Sequence, residues 1–141
     1  KYLIDHIERK ELIGVCIDTC HLNDAGYDMK KFDEFMDQFN KVIGINYIKC
    51  VHVNDSKNAL GTHKDRHANI GYGTLGFDTL ESIINCDFLK NVPKILETPY
   101  IGETDEDKAR IYAPYKFEIE MIKEGVFNPN MMNDIRAYYK K

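Results

Sequence analysis

A chain of 141 residues can bury one ordinary hydrophobic core, so a single domain is expected. Apolar residues make up 43% and charged residues 30% of the sequence, which is typical of a globular protein and excludes a disordered one. No apolar run approaches the roughly 18 residues of a membrane-spanning helix, so no membrane partner is expected. The net charge of −4 argues weakly against a nucleic-acid partner, unless divalent cations bind beside the carboxylates.

The four cysteines are too few for a disulfide scaffold in a chain of this length. Cys16 and Cys50 lie in apolar runs and are expected to be buried thiols in a reducing, intracellular compartment. Strand parity predicts that the thiol of Cys20 points away from its polar neighbours. The first residues lack an initiator Met and resemble the interior of a helix, which suggests a fragment.

Hydrophobic spacing predicts helices and strands that alternate along the chain. In chain order the sequence predicts a helix remnant over 1–11, a strand over 12–18, a helix over 31–43, a strand over 47–54, a long polar loop over 55–76, a helix over 77–85, a strand over 93–98, a helix over 104–124 and a last helix over 128–139. Thr104 and Asp107 resemble a capping box, and Gly125 would end the helix that follows. Because the elements alternate, the predicted class is α/β with a parallel sheet.

Polar side chains stand where each predicted strand ends. Asp18, His52 and Glu97 occupy these positions, and His52 shares a strand face with Asn54. In parallel α/β folds the carboxyl ends of the strands carry the active site, so the three side chains should converge. A carboxylate–imidazole–carboxylate trio with an open position suits a catalytic zinc or manganese ion.

A second group consists of His21, Asp65 and His67. His21 follows Asp18 by three positions, in the turn beyond the strand, and the Asp65-x-His67 spacing puts two side chains on one side of an extended segment. Each pair alone is more often a hydrogen-bonded or loop pair than a metal site. Their joint position at strand ends and in one glycine-rich loop favours a second open metal shell.

Four motifs occur in a specific order and spacing. They are GVCIDTCHLNDAGYD at 14–28, HVNDSK at 52–57, DRHANIGYGTLG at 65–76 and LET at 96–98. Together they resemble the endonuclease IV family of apurinic/apyrimidinic endonucleases, densely over 12–98 and weakly afterwards. The family usually has an aromatic residue and Ala-Ala where this chain has 22–25, LNDA.

The resemblance implies a partial (β/α)8 TIM barrel, with residues 1–141 as the C-terminal part of one domain and about its last three βα units. It implies six zinc ligands, which are Asp18, His21, His52, Asp65, His67 and Glu97. Of these, Asp18, His52 and Glu97 form the catalytic group and would hold one zinc ion, while the other three would hold another. The complete enzyme would carry three zinc ions, with two further histidines and a bridging glutamate from earlier strands, so fewer ions are expected here.

The implied reaction of the complete enzyme is hydrolysis of the phosphodiester bond 5′ to an abasic site in duplex DNA during base excision repair, leaving a 3′-hydroxyl, and full activity is not expected of the fragment alone. Lys57, Lys64 and Arg66 would contact the DNA backbone. A bacterial protein of this kind would lie in the cytoplasm, and a eukaryotic one in the nucleus or a DNA-containing organelle. One alternative is a metal-dependent sugar isomerase on the same fold. Another is a non-catalytic half-barrel that self-associates through open sheet edges.

Overall fold

The structure is a computed structural model, and it describes residues 1–140. The α-helices are α1 (Tyr2–Asp5), α2 (Thr19–Asp24), α3 (Phe32–Val42), α4 (Phe77–Ile84), α5 (Tyr115–Glu124) and α6 (Met131–Tyr139). The strands are β1 (Val15–Asp18), β2 (Ile48–His52), β3 (Asp55–Ser56), β4 (His67–Ala68) and β5 (Lys94–Ile95). Short 3-10 turns occupy Lys10–Leu12, Met29–Lys31, Ile45–Tyr47 and Asp87–Leu89. None of the helices formed by residues 1–140 is long and apolar enough to cross a membrane.

The central sheet is parallel and has the strand order β1-β2-β5. Asp18 pairs with His52 in the β1–β2 register, and His52 pairs with Ile95 in the β2–β5 register. The connections carry α3 between β1 and β2 and α4 between β2 and β5, and α5 follows β5. This β-α-β-α-β-α order confirms the predicted α/β class, and the parallel strands are consistent with part of a TIM barrel.

The core lies on one face of the sheet. Ile17, Val51 and Val53 are buried there in one cluster with apolar side chains of the helices. The largest contributors from α3 and α4 are Phe32, Met36, Phe39, Phe77, Leu80 and Ile83. Alternation along β1 and β2 therefore turns the polar residues Asp18 and His52 to the opposite face.

Cys16 and Cys50 are less buried than predicted. Cys16 is exposed and Cys50 is half-buried, because both lie on the face opposite to the helical core. Burial and the adjacent Cys50 thiol both raise the pKa of Cys16.

Two predicted helices are shorter than expected. The helix predicted over 1–11 is reduced to the single turn α1, where Leu3 is 74% exposed and gains little from packing. The helix predicted from Thr104 begins only at Tyr115. Asp107 Oδ2 does accept a bond from Thr104 N at 2.7 Å, as in a capping box, but Pro114 cannot lie in a helix interior.

The other boundaries shift by a few residues. The predicted end of α5 is confirmed, because Gly125 takes a left-handed conformation there with φ of 66°. The last helix begins at Met131 rather than at Pro129, since Asn128 Oδ1 accepts a bond from Asn130 N and closes a turn first.

The segments that carry the polar residues are more ordered than predicted. The loop expected after Asp18 begins with α2, so His21 lies in the first turn of a helix. The long loop over 55–76 contains the antiparallel pair β3–β4, in which Ser56 pairs with His67. Backbone pairing therefore fixes His67, a candidate ligand, relative to the strand that carries His52.

Candidate metal centre

Asp18 is held in place by three hydrogen bonds. It is the N-cap of α2, and its Oδ1 accepts bonds from Cys20 N at 2.8 Å and His21 N at 3.0 Å. Its Oδ2 accepts a bond from Asn54 Nδ2 at 3.0 Å. The residue is only 7% exposed, so the carboxylate has one orientation.

Three imidazole rings converge on the second oxygen of Asp18. Asp18 Oδ2 lies 4.0 Å from His21 Nδ1, 3.7 Å from His52 Nδ1 and 3.8 Å from His67 Nε2. These separations are too long for hydrogen bonds. Zinc bonds of 2.0–2.2 Å in a tetrahedral shell hold neighbouring ligand atoms about 3.4 Å apart, so the spacing suits a shared cation.

Glu97 and Asp65 lie beside the histidines, and of the two predicted groups only Asp18–His52–Glu97 has all its ligand atoms within 4.8 Å of one another among the described residues, since His21 and His67 group with Asp18 and Asp65 groups with His67 and Cys20. Glu97 Oε2 lies 2.9 Å from His52 Nδ1, and the ligand atoms of Asp18, His52 and Glu97 all lie within 4.8 Å of one another. Asp65 Oδ1 lies 3.1 Å from His21 Nε2 and 3.2 Å from His67 Nε2. The structure thus brings all six predicted side chains together, with Asp18 between the two groups.

The ring of His67 is oriented for metal binding. Its Nδ1 lies 3.1 Å from the backbone oxygen of Glu97, and because a carbonyl only accepts, Nδ1 carries the proton. In the neutral ring this leaves the lone pair on Nε2, an atom that is buried and has no hydrogen-bond partner among the described residues. A carbonyl that fixes the tautomer of the ring is the usual partner of a histidine metal ligand.

Asn54 connects two of the candidate ligands. Its Nδ2 donates to Asp18, while its Oδ1 accepts from Glu97 N at 2.9 Å. The hydroxyl of Thr19 in turn donates to Asn54 O at 2.6 Å and accepts from Asn54 N at 2.9 Å. The sequence placed Asn54 on the face of His52 but gave no sign that it joins the ends of β1 and β5.

Asp55 organises the glycine-rich loop that follows His67. Its carboxylate accepts bonds from Gly71 N at 3.1 Å, Gly73 N at 2.9 Å and Leu75 N at 2.9 Å. A Cβ atom at Gly73 would lie 2.3 Å from Asp55 Oδ1, so only glycine allows this approach. Burial raises the pKa of Asp55, and these backbone N–H groups oppose that shift.

Glu118 is a buried acid that sequence reasoning missed. It accepts bonds from Asn69 Nδ2 at 3.0 Å, Ile70 N at 3.1 Å and the hydroxyl of Thr98. Asn69 follows His67 by two residues and Thr98 follows Glu97 directly, so Glu118 joins the two segments that carry these ligands. Burial raises the pKa of its carboxyl.

Cys20 does not point away from the candidate ligands. It lies in a helix rather than a strand, so strand parity does not apply, and its Sγ is within 4.8 Å of ligand atoms of Asp65 and His67. The thiol also contacts Asp24 Oδ2 at 3.9 Å. Burial raises its pKa to about 11.

Two of the three predicted DNA-contacting residues lie at the site. Lys57 and Arg66 line an open cavity together with Asp65, His67 and Glu97. Lys64 is exposed in the same loop but does not line this cavity. The cavity lining thus combines acidic and imidazole groups with two cations. His6 and His63, the remaining histidines, are exposed.

Comparison with known proteins identifies the fold family. Residues 1–123 match the family described as xylose isomerase-like TIM barrel. The chain belongs to the xylose isomerase-like TIM-barrel family. The predicted TIM-barrel class is therefore confirmed.

Relatives of this TIM-barrel chain carry the name endonuclease 4. The chain is 53% identical over 135 residues to a probable endonuclease 4 of Listeria welshimeri, covering 95% of this chain and 44% of that protein. It is 51% identical over 134 residues to a probable endonuclease 4 of Staphylococcus saprophyticus, covering 94% and 44%. The crystal structure of endonuclease IV from Thermus thermophilus matches with a TM-score of 0.65 at 30% identity, covering 79% of this chain and 38% of that one.

These relatives confirm the predicted resemblance to endonuclease IV. The chain spans less than half of the length of the curated relatives it matches. The activity of the whole proteins is therefore a matter of proposal for this chain.

We expect Asn54→Ala to lower the zinc affinity of the chain by about 10–100-fold, because Asp18 and Glu97 would lose the side chain that orients both. A competition titration against a chromophoric chelator measures this affinity. Asn91→Ala, at an exposed asparagine, is the matched control and should leave the affinity unchanged. Equal affinities in the two variants would show that Asn54 does not position the ligands.

Proposed function

We propose that this chain forms part of a zinc-dependent endonuclease that hydrolyses the phosphodiester bond 5′ to abasic sites in duplex DNA and leaves a 3′-hydroxyl. The observation that carries the proposal is the buried Nε2 of His67, which faces Asp65 and Asp18 with no hydrogen-bond partner among residues 1–140. The names of the relatives supply the substrate class.

The donor set fits divalent metal ions. Three carboxylates and three imidazoles offer hard oxygen and borderline nitrogen donors, which suit zinc in an open catalytic site. Asp18, His52 and Glu97 would hold one ion, and His21, Asp65 and His67 another. Bound ions of this kind lower the pKa of water and neutralise the charge of a phosphate.

The side chains of this site have separate roles in the proposed reaction. Glu97 Oε2 is engaged by His52 Nδ1, so the other carboxylate oxygen is available to orient the attacking water. Lys57 and Arg66, which line the cavity, would hold the backbone phosphates that flank the cleaved bond, and Lys64 would contact the DNA further out. An abasic nucleotide has no base to unstack, so its rotation into the cavity costs little.

The sugar isomerase alternative shares the fold family but explains less of the site. Such a barrel also gathers carboxylates and histidines at strand ends, yet it gives no reason for a separate His21–Asp65–His67 group. Nor does it explain the two cations, Lys57 and Arg66, beside the metal-competent side chains. Both features suit a polyanionic substrate.

Incision of a duplex with a single abasic site tests the proposal. We expect the zinc-loaded chain to cut this strand on the 5′ side of the lesion, to leave an intact duplex uncut, and to lose the activity in Asp65→Asn. Conversion of a ketose to an aldose instead would support the isomerase. A folded, zinc-binding chain without either activity would support the non-catalytic half-barrel.

Self-association is a further expectation for this chain. The outer edges of β1 and β5 end the described three-stranded sheet, and such edges pair readily with another copy. Analytical ultracentrifugation measures the oligomeric state, and a strict monomer at all concentrations would exclude edge pairing.

A further inference from the structure

A pair of thiols lies directly beneath the candidate metal centre. Cys16 of β1 pairs with Cys50 of β2, one step before the Asp18–His52 pair on the same face of the sheet. The pairing belongs to the regular register that continues through Ile17–Val51 to Asp18–His52, and the one irregularity of the pair of strands precedes it, between Val15 and Cys16.

The two thiols share a donor with the candidate metal centre. Cys16 Sγ, Cys50 Sγ and a ring nitrogen of His52 all lie within 4.8 Å of one another. Both cysteines are free thiols. His52 Nδ1 faces Glu97, so the ring has its second nitrogen to offer on its other edge. Neither thiol is used by the proposed hydrolysis.

We propose that Cys16, Cys50 and His52 form a separate binding site for a thiophilic d¹⁰ cation, of which cadmium and zinc are the representatives. Two thiolates and one imidazole are a Cys₂His donor set, which soft and borderline metals prefer over oxygen donors. These three residues leave one position of a tetrahedral shell to another ligand. The site uses no carboxylate, but it shares His52 with the group that the proposed function assigns to a zinc ion.

The imidazole of His52, which both sites share, couples the thiol site to the candidate metal centre. A cadmium ion held by the two thiolates lies next to the Asp18–His52–Glu97 group and engages the same ring. Thiophilic ions therefore load this chain at a place distinct from the oxygen-rich group, and the two sites are coupled through His52.

Cadmium titration of the reduced, metal-free chain tests the proposal. We expect a thiolate-to-cadmium charge-transfer band in the ultraviolet that saturates at one ion per chain. Cys16→Ser and Cys50→Ser should each weaken this binding by more than about tenfold, and the double variant should abolish the band. Cys86→Ser, at another half-buried free thiol, is the matched control and should retain it.

Two further variants separate this site from its neighbours. His67→Ala removes a donor from the oxygen-rich group and should leave the charge-transfer band intact. Cys20→Ser should also leave it intact; loss of the band there would assign the cadmium to Cys20, Asp65 and His67 and overturn the proposal. A band that survives in the double variant, or no band in the folded wild type, would overturn it as well.

Cadmium-113 NMR of the wild-type chain gives a measurement that needs no variant. The resonance of an ion with two sulfur ligands is well separated from that of an ion bound only by oxygen and nitrogen. A single resonance in the oxygen and nitrogen range would contradict the thiolate site even if every variant failed to fold.

Discussion

Replacing His67 by alanine is expected to lower the zinc affinity of the chain by more than about 100-fold. The loss of a ligand should exceed the loss of about 10–100-fold that follows removal of a residue that only orients a ligand. Nδ1 of the ring contacts Glu97 O, and Nε2 lies 3.2 Å from Asp65 Oδ1 and 3.8 Å from Asp18 Oδ2. Its removal takes away a nitrogen donor that faces both carboxylates. Elemental analysis of zinc per chain after dialysis, together with a titration, measures the effect.

His63→Ala is the matched control for this experiment. His63 lies in the same loop, but it is exposed, so its loss should not change the zinc content. About one zinc ion lost in His67→Ala would support the His21–Asp65–His67 group. The same zinc content in both variants, or no zinc in the folded wild type, would contradict it.

Glu118→Ala is expected to lower the free energy of unfolding by about 3 kcal/mol or more, because three buried donors would lose their acceptor. Asn69, Ile70 and Thr98 carry these donors. Zinc affinity should fall as well, since the segments after His67 and Glu97 would no longer be joined. Urea denaturation and zinc titration measure the two effects.

Glu120→Ala is the matched control, since it removes an exposed glutamate from the same helix, α5. It should change the free energy of unfolding by less than about 0.5 kcal/mol. If Glu118→Ala were as stable as this control, Glu118 would not join the two segments.

The difference in stability between Glu118→Gln and the wild type is expected to depend on pH. Burial raises the pKa of Glu118 above its usual value of 4.5, so the folded chain keeps a proton that the unfolded chain releases. The stabilisation from the protonated form is complete below pH 4.5 and is lost as the pH rises through the raised pKa. Glutamine stays neutral, so the stability of the variant relative to the wild type should increase from pH 4.5 towards neutrality.

Helix ends were predicted well where core packing sets them and poorly where the prediction rested on a local capping signal. The apolar stripe predicted α3 to within one residue at each end, because its side chains form the core. The predicted helix from Thr104 was wrong over its first eleven positions, although the local Thr104–Asp107 bond forms. Pro114 was the signal that a helix could not run from Thr104 to Glu124 without a break, because proline does not fit a helix interior.

The candidate ligands were easier to predict than the residues that position them. Asp18, His52 and Glu97 follow from the rule that parallel strands end at one edge of the sheet. Glu118 left only an indirect signal, an acid on the buried stripe of α5 between Tyr115 and Met121. A charged residue at such a position indicates a buried polar contact, but the spacing does not identify its partners.

The sequence by itself determined the α/β class, the core-facing stripes and the six side chains with metal-binding chemistry. Periodicity and strand parity are local properties, so they can be read without a structure. Only the tertiary structure decided that Asn54 joins Asp18 to Glu97, that His67 presents Nε2, and that two thiols stand opposite each other. These features depend on strand register and on ring orientation, which are fixed by contacts between residues distant in the chain.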